Sequence, residues 1–399
     1  MLRFLTAGES HGPQLTVIID GAPAGLPLTS DYIDVQLGRR QRGHGRSERQ
    51  KMERDHAEIV GGVRGGVTLG GPIALVVANR VWDHWQDRMH VEPGETGPRV
   101  TAVRPGHADL AGALKYGHDD VRNILERSSA RETAARVAAG AVARALLEEF
   151  DVKIYSHTAS TGSIVAPSLT GIMATRGAMD DREAFERFWS DVEASPVRCA
   201  DAEAGARMVE AIDEAKRAGV TLGGVSELVA YGLPVGVGSH VQWDRKLDGQ
   251  LARALMSIQS VKGVEIGPAF ENAGLPGSAV HDVVAYRDGA WRRETNRAGG
   301  LEGGITNGEP LVARLAVKPI STMRQALPSA DLVTGEQVPA HYERSDTAHT
   351  PAAGVIGEAM LAIVLAGALL EKCGGDSIDE ARRNYDAFVR EQRERVPQG

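Results

Sequence analysis

Cysteine is nearly absent from this chain: Cys199 and Cys373 lie far apart, with no second cysteine near either. That spacing excludes a disulfide framework and a cysteine-based zinc site, and it fits a reducing cytoplasm. Positive charge is in deficit, 45 Lys and Arg against 53 Asp and Glu, and the net charge of -8 argues against a general nucleic-acid binder. No G-x-G-x-x-G opens a helix after a strand, and no P-loop or H-E-x-x-H pattern occurs. The signals of a dinucleotide fold, a P-loop NTPase and a zinc protease are therefore missing. The first residues, MLRFLTAGESHG, are too short and polar for a signal peptide. Only one long apolar run occurs, from Ala352 to Leu370, with Glu358 as its single charge. Its length approaches a membrane span. Thr350-Pro351 reads as an N-cap and first-turn proline, and Gly374-Gly375 as a stop, so we expect a helix buried in a large soluble core.

Glycine is plentiful, at 47 of 399 residues, which suggests many tight turns. Arginine outnumbers lysine, and codon bias could explain the count but not the clustering. One cluster is Gly38 to Arg49, where glycines and arginines interleave. A mixed charge run is usually a solvated face, but this one is nearly of one sign and suits a cradle for phosphate or carboxylate. A second lies between Arg104 and Gly140. There Arg104-Pro105-Gly106 turns into His107 and Asp109, and Arg127-Ser128-Ser129-Ala130-Arg131 opens a long small-residue helix. Ser129 with Glu132 reads as a capping box, yet a helix N-terminus flanked by two arginines is also an anion site; both readings stand. Ser10 and His11 sit in a Gly-flanked turn, Gly8 to Gly12, between two short strands. A lone loop histidine is usually just solvated.

Further along, Asn79 to Val103 reads as an irregular excursion, a lid or an oligomer contact, to which we assign no chemistry. A helix from Asp244 to Val261 ends near Gln259-Ser260. A strand from Pro310 delivers Lys318-Pro319-Ile320-Ser321-Thr322 at its end, and Arg344-Ser345-Asp346 precedes the apolar helix. Residues 377–396 read as a charged, peripheral helix. The run from Val220 to Gly236 faintly echoes Ile18 to Gly25, which suggests two similar halves.

These segments, in this order, resemble chorismate synthase. The resemblance rests on Gly8-Glu9-Ser10-His11-Gly12, the Arg39 to Arg49 loop, Arg104 to Asp109, Arg127 to Thr133, Gly303 to Gly308, Lys318 to Thr322 and Arg344-Ser345-Asp346. It covers essentially the whole chain, as one domain over 1–399. It implies an α+β fold, a β-α-β sandwich with helices packed between two antiparallel sheets in pseudo-symmetric halves, and not a doubly wound parallel sheet. It implies the last step of the shikimate pathway: anti-1,4-elimination of phosphate from 5-enolpyruvylshikimate 3-phosphate, dependent on reduced FMN without net redox change.

By resemblance His11, beside Ser10, acts as general acid at the leaving phosphate. His107 serves the flavin side, and Asp346 helps relay the ring proton; Ser129 joins the catalytic group. Arg127, Ser128, Ser129, Gln259, Ser260, Gly303, Lys318, Pro319, Ile320, Ser321, Thr322 and Arg344 fall on flavin-binding positions. Arg40, Arg46, Arg104 and Arg131 are placed around the substrate, Arg344 touching both ligands; no metal is implied. Many members carry His where Ser345 stands, so any role of that imidazole is missing here. Relatives are cytoplasmic homotetramers. Some reduce their flavin with a nicotinamide cofactor such as NADPH, but no extra domain is visible here, so reduced flavin is expected from outside. Two other classes use the same parts: a flavin-dependent oxidoreductase acting on an anionic substrate, and a non-catalytic anion-binding protein.

Overall fold

The structure, a computed structural model, describes residues 2–46, 54–179, 181–287 and 289–395. Ser47, Glu48 and Arg49 of the basic segment, and Val396 of the C-terminal helix, lie outside the described residues. Strands β1 (Arg3–Ala7), β2 (Gln14–Asp20), β3 (Ala57–Gly61) and β4 (Ile73–Ala78) form one antiparallel sheet in the order β1-β2-β4-β3. Strands β5 (Lys153–Thr161), β6 (Ile164–Val165), β7 (Gly224–Tyr231), β8 (Val261–Ile266) and β9 (Leu311–Val317) form a second, in the order β8-β9-β7-β5-β6. Period-two alternation points one face of each inward. Leu15, Val17 and Ile19 are buried on β2, and Leu311, Ala313, Leu315 and Val317 on β9.

Four helices fill the space between the sheets: α1 (Ser30–Gln41), α2 (Thr133–Glu148), α3 (Leu247–Met256) and α4 (Thr350–Cys373). Helix α2 packs on β2 and α4, while α4 lies against β5, β7 and β9. The apolar run is thus enclosed by protein, as its small residues predict: 78% of its most apolar window is buried. At Gly140 a Cβ would sit 2.3 Å from the Cβ of Ala359, so glycine is what lets α2 and α4 cross this closely.

The faint echo is a topological repeat. The chain order β1-β2-α1-β3-β4-α2 is matched by β5-β7-α3-β8-β9-α4, and the strand order β1-β2-β4-β3 by β5-β7-β9-β8. Helix boundaries correct the expectations by a few residues. Thr29 caps α1, which runs on to Gln41. Arg39 and Arg40 therefore stand on a helix's last turn, buried, and not in a flexible loop. Helix α3 stops at Met256, leaving Gln259-Ser260 in the turn before β8. His349 occupies the N-cap of α4, so Thr350 is its first helical residue and not its cap.

Candidate active site

The loop between β1 and β2 turns at Gly8 (φ +106), where a Cβ would fall 2.3 Å from the Gln14 carbonyl oxygen. Asn79 Nδ2 donates to the carbonyls of Glu9 (3.2 Å) and Gly12 (2.7 Å), and the Ser10 amide donates to the Glu126 carbonyl (3.1 Å). The loop is therefore ordered, and His11 is not a solvated loop histidine. Its amide donates to Glu126 Oε2 (2.8 Å), and its Nδ1 lies 2.9 Å from Glu126 Oε1. An ionised carboxylate can only accept, so Nδ1 carries the proton and Nε2 stands on the opposite edge of the ring. Burial pushes Glu126 up, but its bonds from His11 and Arg122 outweigh this and hold it below the usual carboxylate range. Arg122 bridges Glu126 (2.9 Å) and Glu343 (2.9 Å), drawing the 343–346 segment to the same place. Trp85, from the excursion left without a role, stacks on His11 with centroids 3.9 Å apart.

A second imidazole is held in the same way. His107 Nδ1 is 2.5 Å from Asp109 Oδ1, and Asp109 is fully buried. Burial pushes the Asp109 carboxyl up, but bonds from His107 and Arg104 overcome it and keep the group well below its ordinary range. Arg104 is expected around the substrate. The structure instead engages it with Asp109 through Nε (2.7 Å) and Nη2 (3.0 Å), and with Thr322 Oγ1 through Nη1 (3.1 Å), so it orients other groups. Lys318 Nζ donates to the Gly106 carbonyl, tying the end of β9 to the His107 turn.

Buried arginine packs beside the Ser10-His11 loop, where Arg131 Nε donates to Asn79 Oδ1 (2.9 Å). Asp55 takes Arg131 Nη1 (2.6 Å) and Arg40 Nη1 (3.4 Å), and Arg40 Nε donates to Thr133 Oγ1 (3.0 Å). Burial, with Arg131 and Arg46 nearby, pushes Arg40 down to about 10 despite Asp55, so it stays charged at neutral pH. Arg46 Nη1 donates to Asp346 Oδ2 (2.7 Å). Ser129 Oγ lies 3.2 Å from Ser10 Oγ and accepts the Arg131 amide (3.2 Å). The capping box does not form: Glu132 turns away to Thr6, Arg136 and Gln259. Ser129 caps a 3-10 turn, Ala130–Glu132, ahead of α2.

Other expected positions divide. Gln259, Ser260, Lys318 and Thr322 meet at this end of the second sheet: the Lys318 amide donates to the Ser260 carbonyl (3.0 Å), and Ser345 Oγ to the Thr322 carbonyl (3.1 Å). Pro319, Ile320 and Ser321 complete that segment, with the Ile320 carbonyl accepting from Thr221 (2.7 Å). Arg127 is used on Thr6 and Gly8, and the Ser128 hydroxyl donates back to the Ile124 carbonyl (2.8 Å). Gly303 is not brought to the cluster. Its hairpin packs by Gly238 and Lys246 at the start of α3, while Ser260 follows that helix's far end, about 15 Å along ten residues. The reading from sequence missed Glu126, Arg122, Asp55 and Trp85. Only Glu126 left a signal, as a carboxylate four residues after Arg122 in a short apolar helix.

A cavity of about 190 Å³ opens here, lined by Arg46, Lys216, Arg324, Arg344 and Thr322, with Asp346 as the one carboxylate among the described residues that line it. Nearby, Arg46 Nε, Gln259 Oε1 and His349 Nδ1 are buried without a hydrogen-bond partner among the described residues. Arg46 Nε is a donor and, with the cationic cavity, suits an anionic oxygen such as a phosphate's; Gln259 Oε1 can only accept, and suits an N–H or O–H of the same ligand, a combination that flavin mononucleotide carries.

The family profile described as chorismate synthase matches residues 2–370. The chain belongs to the chorismate synthase family. It is 53% identical over 399 residues to the chorismate synthase of Trichlorobacter lovleyi, covering 97% of this chain and 98% of that one. It is 54% identical over 390 residues to that of Moorella thermoacetica, with the same coverage. A crystal structure of chorismate synthase superposes with a TM-score of 0.78 at 43% identity, covering 98% of both chains, so the sandwich is the family's fold. Among the described residues, no group of three or more His, Cys, Asp or Glu could hold a metal ion.

Proposed function

We propose that this chain carries out the reaction of its family, elimination of phosphate from 5-enolpyruvylshikimate 3-phosphate to give chorismate, on the ring of groups just described. One observation carries the assignment of roles: the fold holds two imidazoles, each on a buried carboxylate, and a buried arginine cluster. A substrate with two carboxylates and a phosphate needs local positive charge from a protein that is acidic overall. Arg40, Arg46 and Arg131 supply it, with Arg344 at the cavity wall. His11 acts as the imidazolium: its Nδ1–H stays on Glu126 while Nε2 gives its proton to the departing phosphate, leaving the neutral Nδ1–H ring. Ser10 and Ser129 link their hydroxyls beside it. Asp346, steadied by Arg46, accepts the ring proton, and His107 neutralises negative charge on the cofactor side. A bound reduced FMN would supply electron density for the carbon-oxygen cleavage without net oxidation. Gln259, Ser260 and Lys318 to Thr322 would hold it.

The enzyme works in the cytoplasm as a homotetramer, and its reduced flavin comes from an external reductant, not from NADPH oxidised in this chain. The test is anaerobic turnover with purified protein, substrate and reduced FMN. Phosphate release and diene absorbance with catalytic flavin are expected. Reductant consumed in step with product would establish the flavin oxidoreductase instead, and absence of both signals would end the lyase reading.

A further inference from the structure

Ser260 is one of three described non-glycine residues with positive φ, at +69, and it is the one at the site. The left-handed region is unfavourable for an L-residue other than glycine and persists only where neighbours enforce it. The enforcing contact is visible. Ser260 Oγ lies 2.5 Å from the Gln259 carbonyl oxygen and 2.6 Å from His349 Nε2. A hydroxyl has one proton, and a carbonyl can only accept. The serine therefore donates to Gln259, and His349 Nε2–H donates to the serine. His349 itself is fixed: it is the N-cap of α4, and its carbonyl accepts the Ala353 amide (2.9 Å). Arg46 and Asp346 are the charged groups that act on it. Its role is absent from the functional reading above, which needs no imidazole here.

We propose that His349 is a positioning residue that clamps the Gln259-Ser260 turn in its left-handed form. The clamp anchors the turn to the buried helix α4 and sets the Ser260 carbonyl to receive the Lys318 amide. Gln259, whose Nε2 is tied to Glu132, then keeps its Oε1 unpartnered at the ligand site. The inference rests on the reading that FMN is held by this turn. Its backbone part does not.

The experiment has two readouts on intact protein: FMN titration followed by flavin fluorescence, and hydrogen exchange of the peptide spanning 256–263 without flavin. His349→Ala should weaken FMN binding by about tenfold, the factor equal to ~1.4 kcal/mol of lost turn stability. It should also speed exchange in that peptide while leaving the thermal midpoint near wild type. His349→Gln, whose amide N–H can reach the same hydroxyl, should keep both properties. Adding Ser260→Gly to His349→Ala should restore the slow exchange, because glycine adopts positive φ without a clamp. Unchanged exchange in His349→Ala, or no recovery of slow exchange in the double variant, would overturn the proposal. Wild-type protein that bound no FMN would remove the flavin reading alone, since the exchange comparison still decides whether the clamp exists.

Discussion

Glu358, the one charge in the apolar run from Ala352 to Leu370, is buried beside Arg39 and can be tested by replacing it with glutamine. Its carboxylate accepts from Arg39 (2.7 and 3.0 Å), Arg144 (2.8 Å), Arg198 (3.1 Å) and Ser156 (2.6 Å). Burial pushes it up, but Arg39, Arg144 and Arg198 outweigh that and hold it down at about 2. Measured against an ordinary glutamate, that depression is worth roughly 3 kcal/mol at neutral pH. A separate argument gives a similar size: removing one partner of a buried ion pair costs about 3–5 kcal/mol. The sign follows from linkage. A folded pKa below the unfolded one adds stability that is complete above the unfolded value and lost as pH falls through the folded value. Urea denaturation at neutral pH should show Glu358→Gln less stable by about 3 kcal/mol, with the gap closing between about pH 4.5 and pH 2. A gap that does not change with pH would refute the electrostatic account and leave only packing. Arg39 precedes Arg40 on α1, so the variant should also raise KM for substrate.

The remaining expectations are shorter. His11→Ala and His107→Ala should each slow phosphate release by about 100- to 10,000-fold without moving the thermal midpoint; wild-type rates would remove their roles. Glu126→Gln should lower kcat, because an amide can present N–H to His11 Nδ1 and reverse the tautomer. A pH–rate profile identical to wild type would count against this. Arg40→Ala should weaken substrate binding, measured as KM, by at least tenfold, since a buried charge-assisted contact is worth about 1.5–3 kcal/mol. Gly140→Ala should lower stability by at least ~1–3 kcal/mol in a melting experiment, because the new methyl overlaps Ala359.

Local pattern made the strands and the buried helix legible. Alternation in β2 and β9 and the run ending at Leu370 are written in neighbouring residues, and burial follows from them. The motif residues were legible by resemblance, as positions. Their partners were not. Asp55 meets Arg131, Glu126 meets His11 and Trp85 stacks on it across distances in sequence that no local spacing encodes. Ser129 misled for the opposite reason. The S-x-x-E spacing fits a capping box, but Glu132 finds better charged partners in Arg136 and Arg127.

The sequence by itself determined the family, the absence of dinucleotide and zinc motifs, and the kinds of group available for moving protons and holding anions. These depend on residue identity and near-neighbour order. Only the tertiary structure decided what each arginine touches: Arg104 is engaged by Asp109, Arg127 by Thr6 and Arg131 by Asp55, while Arg344 lines the cavity. It also left Gly303 away from the rest and brought His349 onto Ser260. The physical reason is that a charged side chain's role is set by whichever opposite charge packing brings within hydrogen-bond reach. Packing is fixed by the two sheets closing on α2 and α4, which join residues far apart in the chain.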